Sequence, residues 1–182
     1  MNLRQLPNVL CILRMAMVVP IGWLIVEGDY LPAMVLFFIA GFTDLLDGFL
    51  ARTFGWKTRL GGILDPIADK LLVATVFVTL TLAGAIPVWL LVVVIVRDVV
   101  IISGSLAYQA LVAPFEAAPT GISKLTTLLQ LTYLLLALSS MALGIPELAW
   151  LEPLAILVAV AAVVSAIVYV VIGIRLSRQA RA

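Results

Sequence analysis

Four aspartates stand in two pairs, Asp44-Leu-Leu-Asp47 and Asp65-Pro-Ile-Ala-Asp69, between stretches that are otherwise almost wholly apolar. An ionised Asp within a hydrophobic membrane segment costs at least about 2.5–3.5 kcal/mol on insertion scales, so the four must face a polar cavity and share cations. Spacings of three and four residues put each pair on one helix face. The two segments are consecutive and joined by a short connection, so as antiparallel helices they bring both pairs to a similar depth. Such a cluster wants divalent metal. His is absent and the one Cys, Cys11, falls in another segment, which excludes Cys/His zinc sites, a disulfide and a Cys–His nucleophile. Oxygen-only ligation favours Mg²⁺, Mn²⁺ or Ca²⁺, and Mg²⁺ is usually held by a few carboxylates together with substrate phosphates. A phosphate-bearing substrate is thus implied, and two metal ions about 3.5–4 Å apart would clamp the attacking and leaving oxygens of a phosphoryl displacement. The alternative for the acids is a set of ion pairs with Arg52, Arg59 and Lys70.

Gly48, directly beside an aspartate, leaves room for a ligand to approach the helix backbone, and Ala51 one turn on keeps that face open. Gly61 does the same at the start of the following segment. Arg52 then reads as a charge-matched fork for a phosphate. For the glycines alone, close helix packing is the competing reading.

The elements that position these residues are membrane spans. With 64% hydrophobic residues, 12% charged residues and a mean hydropathy of +1.24 over 182 residues, the chain is too apolar for a soluble globule. It is expected to be one all-α transmembrane domain, 1–182, with six helices. Apolar runs cover about Val9–Val26, Leu31–Ala51, Gly61–Ala85, Pro87–Ala110, Gly121–Leu143 and Leu151–Ile174, with Ala113–Thr120 a loop. Arg14 inside the first run, and the lack of a small-residue cleavage site, argue against a cleavable signal peptide.

Loop charge gives the orientation. Glu27, Asp29, Glu147 and Glu152 mark one side, with no Lys or Arg among the loops at 27–30 and 144–152. Arg4, Arg52, Lys57, Arg59, Lys124, Arg175, Arg178 and Arg181 mark the other. Both termini and the aspartate loop are therefore expected on the cytoplasmic side. A net charge of +1 hides this separation.

The string D-x-x-D-G-x-x-A-R-x8-G-x3-D-x3-D, met without a gap from Asp44 to Asp69, resembles the signature of the CDP-alcohol phosphatidyltransferase family. The resemblance implies a six-helix transmembrane bundle with a cytoplasm-facing polar cavity, and a homodimer. It also implies transfer of a phosphatidyl group from CDP-diacylglycerol to an alcohol with release of CMP. By the same resemblance Asp44, Asp47, Asp65 and Asp69 hold two divalent metals, Mg²⁺ or Mn²⁺, with Ca²⁺ an inhibitory occupant. Asp69 is in addition the general base, and Asp65 is placed with it in the catalytic set. Asp47, Gly48, Ala51, Arg52 and Gly61 line the CDP site. With no His, Cys or preorganised Ser to act as a covalent nucleophile, direct attack by the acceptor hydroxyl is the simplest course.

Other stretches resemble the eukaryote-type cardiolipin synthase branch of that family: Leu6-Pro7-Asn8 with Arg14, Ile86-Pro87, Arg97-Asp98-Val99, and Pro119-Thr120 with Ser123-Lys124-Leu-Thr-Thr127 and Gln130. The related phosphatidylglycerophosphate synthases more often show a second lysine where this chain has Thr126. A small dianion such as glycerol 3-phosphate wants more than one nearby cation, so phosphatidylglycerol is the expected acceptor and glycerol 3-phosphate the alternative. Arg97 and Lys124 are the expected contacts to the acceptor phosphate, with an internal Arg97–Asp98 ion pair and a snorkelling Lys124 as the competing readings. Asn8 and Arg14 either cap the first helix or reach the donor pyrophosphate. The expected setting is a bacterial inner membrane, with lipid as the surrounding partner and no nucleic acid. A non-enzymatic cation transporter using the buried acids is the remaining alternative. The arginine at position 52 argues against it, because an ion path gains nothing from a fixed positive charge.

Overall fold

The computed structural model describes residues 6–53, 61–111 and 121–179, and side chains within 9–44, 46, 67–105 and 121–175. Six α-helices run in chain order: α1 (Leu6–Glu27), α2 (Tyr30–Thr53), α3 (Gly61–Leu82), α4 (Val88–Leu111), α5 (Gly121–Leu143) and α6 (Glu152–Gln179), with a 3₁₀ turn at Leu148–Leu151 before α6. Among the described residues there is no strand. Four helices among the described residues are long and apolar enough to cross a membrane: Val9–Glu27, Val88–Ser105, Gly121–Leu143 and Leu148–Arg175. In α2 the apolar part is the shorter Tyr30–Asp44. Six helices were expected and six are present; the aspartate-bearing ends of α2 and α3 fall partly outside the residues whose side chains are described.

The chain falls into two compact units. The first comprises Met1–Ile86 and Leu134–Leu148, and in it α1 packs against both α2 and α3. One face of α1 is buried at Cys11, Arg14, Met17, Ile21 and Ile25, steps of three and four that keep a helix stripe in phase. The opposite face, with Val19, Trp23 and Val26, is exposed, as suits a surface turned to lipid. Gly22 lets α1 lie close to α3: a Cβ there would meet Thr75 Cγ2 at 2.9 Å.

Both α1 and α3 end in the same hydrogen-bonded cap. Gly28, at φ 87°, donates to Ile25 O at 3.2 Å while Asp29 N donates to Leu24 O at 2.8 Å; Gly84, at φ 77°, donates to Thr81 O at 3.0 Å while Ala85 N donates to Leu80 O at 2.9 Å. A left-handed residue is needed at this position, and glycine takes it without a Cβ penalty. A sharp turn follows α1, so α2 doubles back along α1 and brings Asp44 to the level of Arg14 on α1 and Asp69 on α3.

The second unit comprises Pro87–Tyr133 and Ala149–Ala182. Here α4 packs on α6, burying Leu90, Val94 and Arg97 on one helix and Ala155, Val158, Ala161, Ala162 and Ser165 on the other. The Thr126 hydroxyl of α5 donates to Ala161 O of α6 at 3.1 Å. Three of the four tryptophans, Trp23, Trp89 and Trp150, are exposed. Each lies within a few residues of a helix end, where aromatic residues are favoured at a membrane interface.

Candidate active site

Asp44 and Asp69 come from different helices and converge on one atom. Arg14 Nη1 lies 2.8 Å from Asp44 Oδ1 and 2.6 Å from Asp69 Oδ1. The three side chains differ in depth: Arg14 is wholly buried, whereas the Asp44 and Asp69 side chains are 40% and 45% exposed. The arginine is thus the floor of the site and the carboxylates form its rim.

The placement of Arg14 follows from the phase of α1. It lies on the buried stripe between Cys11 and Met17, where a cation without counter-charge would be very costly. The acids on α2 and α3 supply that charge, and the close approach at Gly22 keeps α1 and α3 near enough for them to do so. Arg14, expected at a helix cap or at the donor pyrophosphate, lies against the two aspartates.

Asp47 lies one turn beyond Asp44 on α2, and Asp65 one turn before Asp69 on α3. The side chains of Asp47 and Asp65 lie outside the described residues, as do those of Asn8, Gly48, Ala51, Arg52 and Gly61. The loops at 54–60 and 112–120, with Lys57, Arg59, Pro114 and Pro119, and the terminal Arg4 and Arg181 also lie outside them. Among the described residues no group of three or more His, Cys, Asp or Glu gathers as a metal-holding set. The described donors nevertheless suit a hard divalent cation. Two carboxylate oxygens already share a point of positive charge, and no sulfur or imidazole competes for it.

The structure shows an open groove of about 430 Å³ between α1 and α3, lined by Val18, Gly22, Trp23, Glu27, Thr75 and Thr79. It lies about two turns beyond Arg14, towards the other end of the helices, and its walls are mostly apolar. Its chemistry suits lipid chains and not a pyrophosphate.

A second polar cluster occupies the other unit. Arg97 is 3% exposed. Its Nη1 donates to Asp98 Oδ1 at 2.6 Å, and its Nη2 donates to Ser123 Oγ at 2.7 Å and Ser165 Oγ at 3.2 Å. One guanidinium thereby links α4, α5 and α6. Arg97 Nε and Gln130 Nε2 are buried donors without a hydrogen-bond partner among the described residues. Lys124, the residue after Ser123, is exposed. Ser165 was not foreseen. Its signal was a single hydroxyl in phase with the buried Val158, Ala161 and Ala162 of α6.

A family model described as CDP-alcohol phosphatidyltransferase matches residues 4–174. The cardiolipin synthase (CMP-forming) of Homo sapiens is 39% identical over 142 residues, covering 69% of this chain and 47% of the relative. The chloroplastic CDP-diacylglycerol–glycerol-3-phosphate 3-phosphatidyltransferase 1 of Oryza sativa subsp. japonica is 40% identical over 106 residues, covering 58% of this chain and 32% of the relative. The corresponding transferase of Bacillus subtilis (strain 168) is 36% identical over 109 residues, covering 52% of this chain and 56% of the relative. The chain spans about half the length of the cardiolipin synthases it matches.

Proposed function

Because the chain belongs to the CDP-alcohol phosphatidyltransferase family, we propose that it transfers a phosphatidyl group from CDP-diacylglycerol to the hydroxyl of phosphatidylglycerol, giving cardiolipin and CMP. The supporting observation is the convergence of Asp44 and Asp69, from separate helices, on one cationic point, both carboxylates being partly exposed. Asp44, Asp47, Asp65 and Asp69 would hold two divalent ions, Mg²⁺ or Mn²⁺, which when bound neutralise charge on the donor's pyrophosphate. Asp47, Gly48, Ala51, Arg52 and Gly61 form the nucleotide side of the site, where the glycines permit close approach and Arg52 offers a fork to phosphate.

The acceptor hydroxyl oxygen attacks the β-phosphorus of CDP-diacylglycerol. The bond from that phosphorus to the oxygen of CMP breaks, and the hydroxyl proton passes to Asp69. The partial exposure of the Asp69 carboxylate beside a buried arginine supports this role. No covalent enzyme intermediate is required.

The acceptor assignment rests on the cardiolipin synthase match, which extends further along the chain than the glycerol 3-phosphate enzymes do. Its phosphate is assigned to Lys124, exposed near the start of α5, and to Arg97, which acts by holding the neighbouring Ser123. Lys124→Ala is expected to raise the acceptor KM more than the donor KM and to leave thermal stability within the small range of surface substitutions, about 0.5 kcal/mol. Equal rises in both constants would remove Lys124 from the acceptor site. From the loop charges we infer that the site and both termini lie at the cytoplasmic face of a bacterial inner membrane, and the family resemblance favours a homodimer.

The deciding experiment gives purified protein CDP-diacylglycerol and Mg²⁺ or Mn²⁺, with phosphatidylglycerol or glycerol 3-phosphate in separate reactions, and separates the products. Cardiolipin and CMP are expected, formed faster than phosphatidylglycerophosphate. A protein that uses glycerol 3-phosphate and ignores phosphatidylglycerol would replace the acceptor while leaving the transfer chemistry in place.

A further inference from the structure

We propose that Arg14 is the resident counter-ion of the aspartate site, holding Asp44 and Asp69 together before metal arrives and setting, by its charge, how tightly metal binds. This positioning role rests on the metal reading above. Three observations carry it. A single Arg14 nitrogen bridges carboxylates from two helices at 2.8 and 2.6 Å. The guanidinium is wholly buried whereas both carboxylates are partly exposed, so a cation entering from the open side meets the acids with the arginine already behind them. Arg14 also belongs to the packed stripe of α1, fixed between Cys11 and Met17, so it cannot swing out to solvent without dragging apolar neighbours.

Two carboxylates drawn to one point repel one another unless a cation lies between them. Without metal, Arg14 is that cation among the described residues, and it keeps the ligands at binding distance from each other. When a divalent ion is present, the fixed positive charge beneath opposes it. The arginine therefore trades metal affinity for a site that stays assembled when empty. Weaker, reversible metal binding suits a site where the ions must also release a charged nucleotide product.

The test is direct Mn²⁺ binding, followed by electron paramagnetic resonance of free Mn²⁺, together with thermal unfolding of the same samples. Arg14→Met keeps the length and apolar stem but removes the charge. It is expected to bind Mn²⁺ at least tenfold more tightly than wild type, to unfold at a lower temperature without metal, and to regain most of that loss when saturated with Mn²⁺, because ligand binding stabilises the state that binds it. Arg14→Lys keeps the charge and should hold Mn²⁺ affinity within a few-fold of wild type. Unchanged or weaker Mn²⁺ binding in Arg14→Met, with wild type binding normally, overturns the counter-ion role alone. Wild type that takes up no Mn²⁺ overturns the metal reading and this role with it.

A measurement on the unsubstituted protein covers the case in which Arg14→Met does not fold. With ¹⁵N-arginine label, the guanidinium signal that disappears in Arg14→Lys is expected to shift when Mg²⁺ saturates wild type. A signal that does not move on saturation overturns the proposal.

Discussion

Asp69→Asn is expected to lower turnover by about 10²- to 10⁴-fold, the usual contribution of a positioned general base, while the protein folds and binds CDP-diacylglycerol. The amide keeps the shape of the side chain and an oxygen able to accept from Arg14, so the contact between α1 and α3 survives. It cannot take a proton from the acceptor hydroxyl. Three carboxylates remain for the donor, so donor affinity should fall far less than turnover. Asp44→Asn makes the contrast, since Asp44 is assigned to metal holding alone and its loss should weaken metal-dependent donor binding as well as the rate. Single-turnover rates and CDP-diacylglycerol binding, measured on both variants, separate the roles. Near-normal turnover in Asp69→Asn at neutral pH would remove it as the base.

Much of this architecture could be read from hydropathy, because an apolar run bounded by Gly, Pro or acid is a strong signal for a membrane helix. The fifth run and α5 share the same bounds, Gly121–Leu143. The sixth run was placed at Leu151–Ile174, yet α6 continues to Gln179. Hydropathy marks the end of the membrane and not the end of the helix, and a backbone with good helix formers such as Arg175 and Arg178 has no reason to stop there. The tight turns after α1 and α3 were visible as Gly28 and Gly84, although their shared capping geometry needed coordinates.

The acids of the site were legible in the sequence; the pairing of Arg14 with two of them was not. Asp44 and Asp69 announce themselves because acids are expensive in an apolar segment. In sequence Arg14 reads as a helix cap or a contact to the donor pyrophosphate, and not as the partner of these acids. What identifies it is helical phase: it shares the stripe of Cys11, Met17, Ile21 and Ile25, and a buried stripe must answer a charge with a charge. Sequence spacing could supply that phase but not which neighbouring helix faces it. That choice is set by tertiary packing, above all by the Gly22–Thr75 approach.

Arg97→Ala is expected to destabilise the protein by about 3–5 kcal/mol, the usual cost of breaking a buried charged pair by removing one partner. The guanidinium is 3% exposed and serves Asp98, Ser123 and Ser165 together, so its loss leaves an acid and two hydroxyls without that donor and opens a gap among α4, α5 and α6. Arg97→Lys keeps the charge but presents one ammonium where a fork had reached three groups, and an intermediate loss is expected. Denaturant titration in detergent micelles measures both, and kinetics on Arg97→Lys asks whether acceptor binding suffers with the fold. If Arg97 acts by fixing Ser123 and hence the start of α5, acceptor KM should rise in step with lost stability. A variant as stable as wild type whose acceptor KM alone has risen would show Arg97 touching the acceptor itself, with its bonds to Ser123 and Ser165 exchanged for bonds to the lipid phosphate.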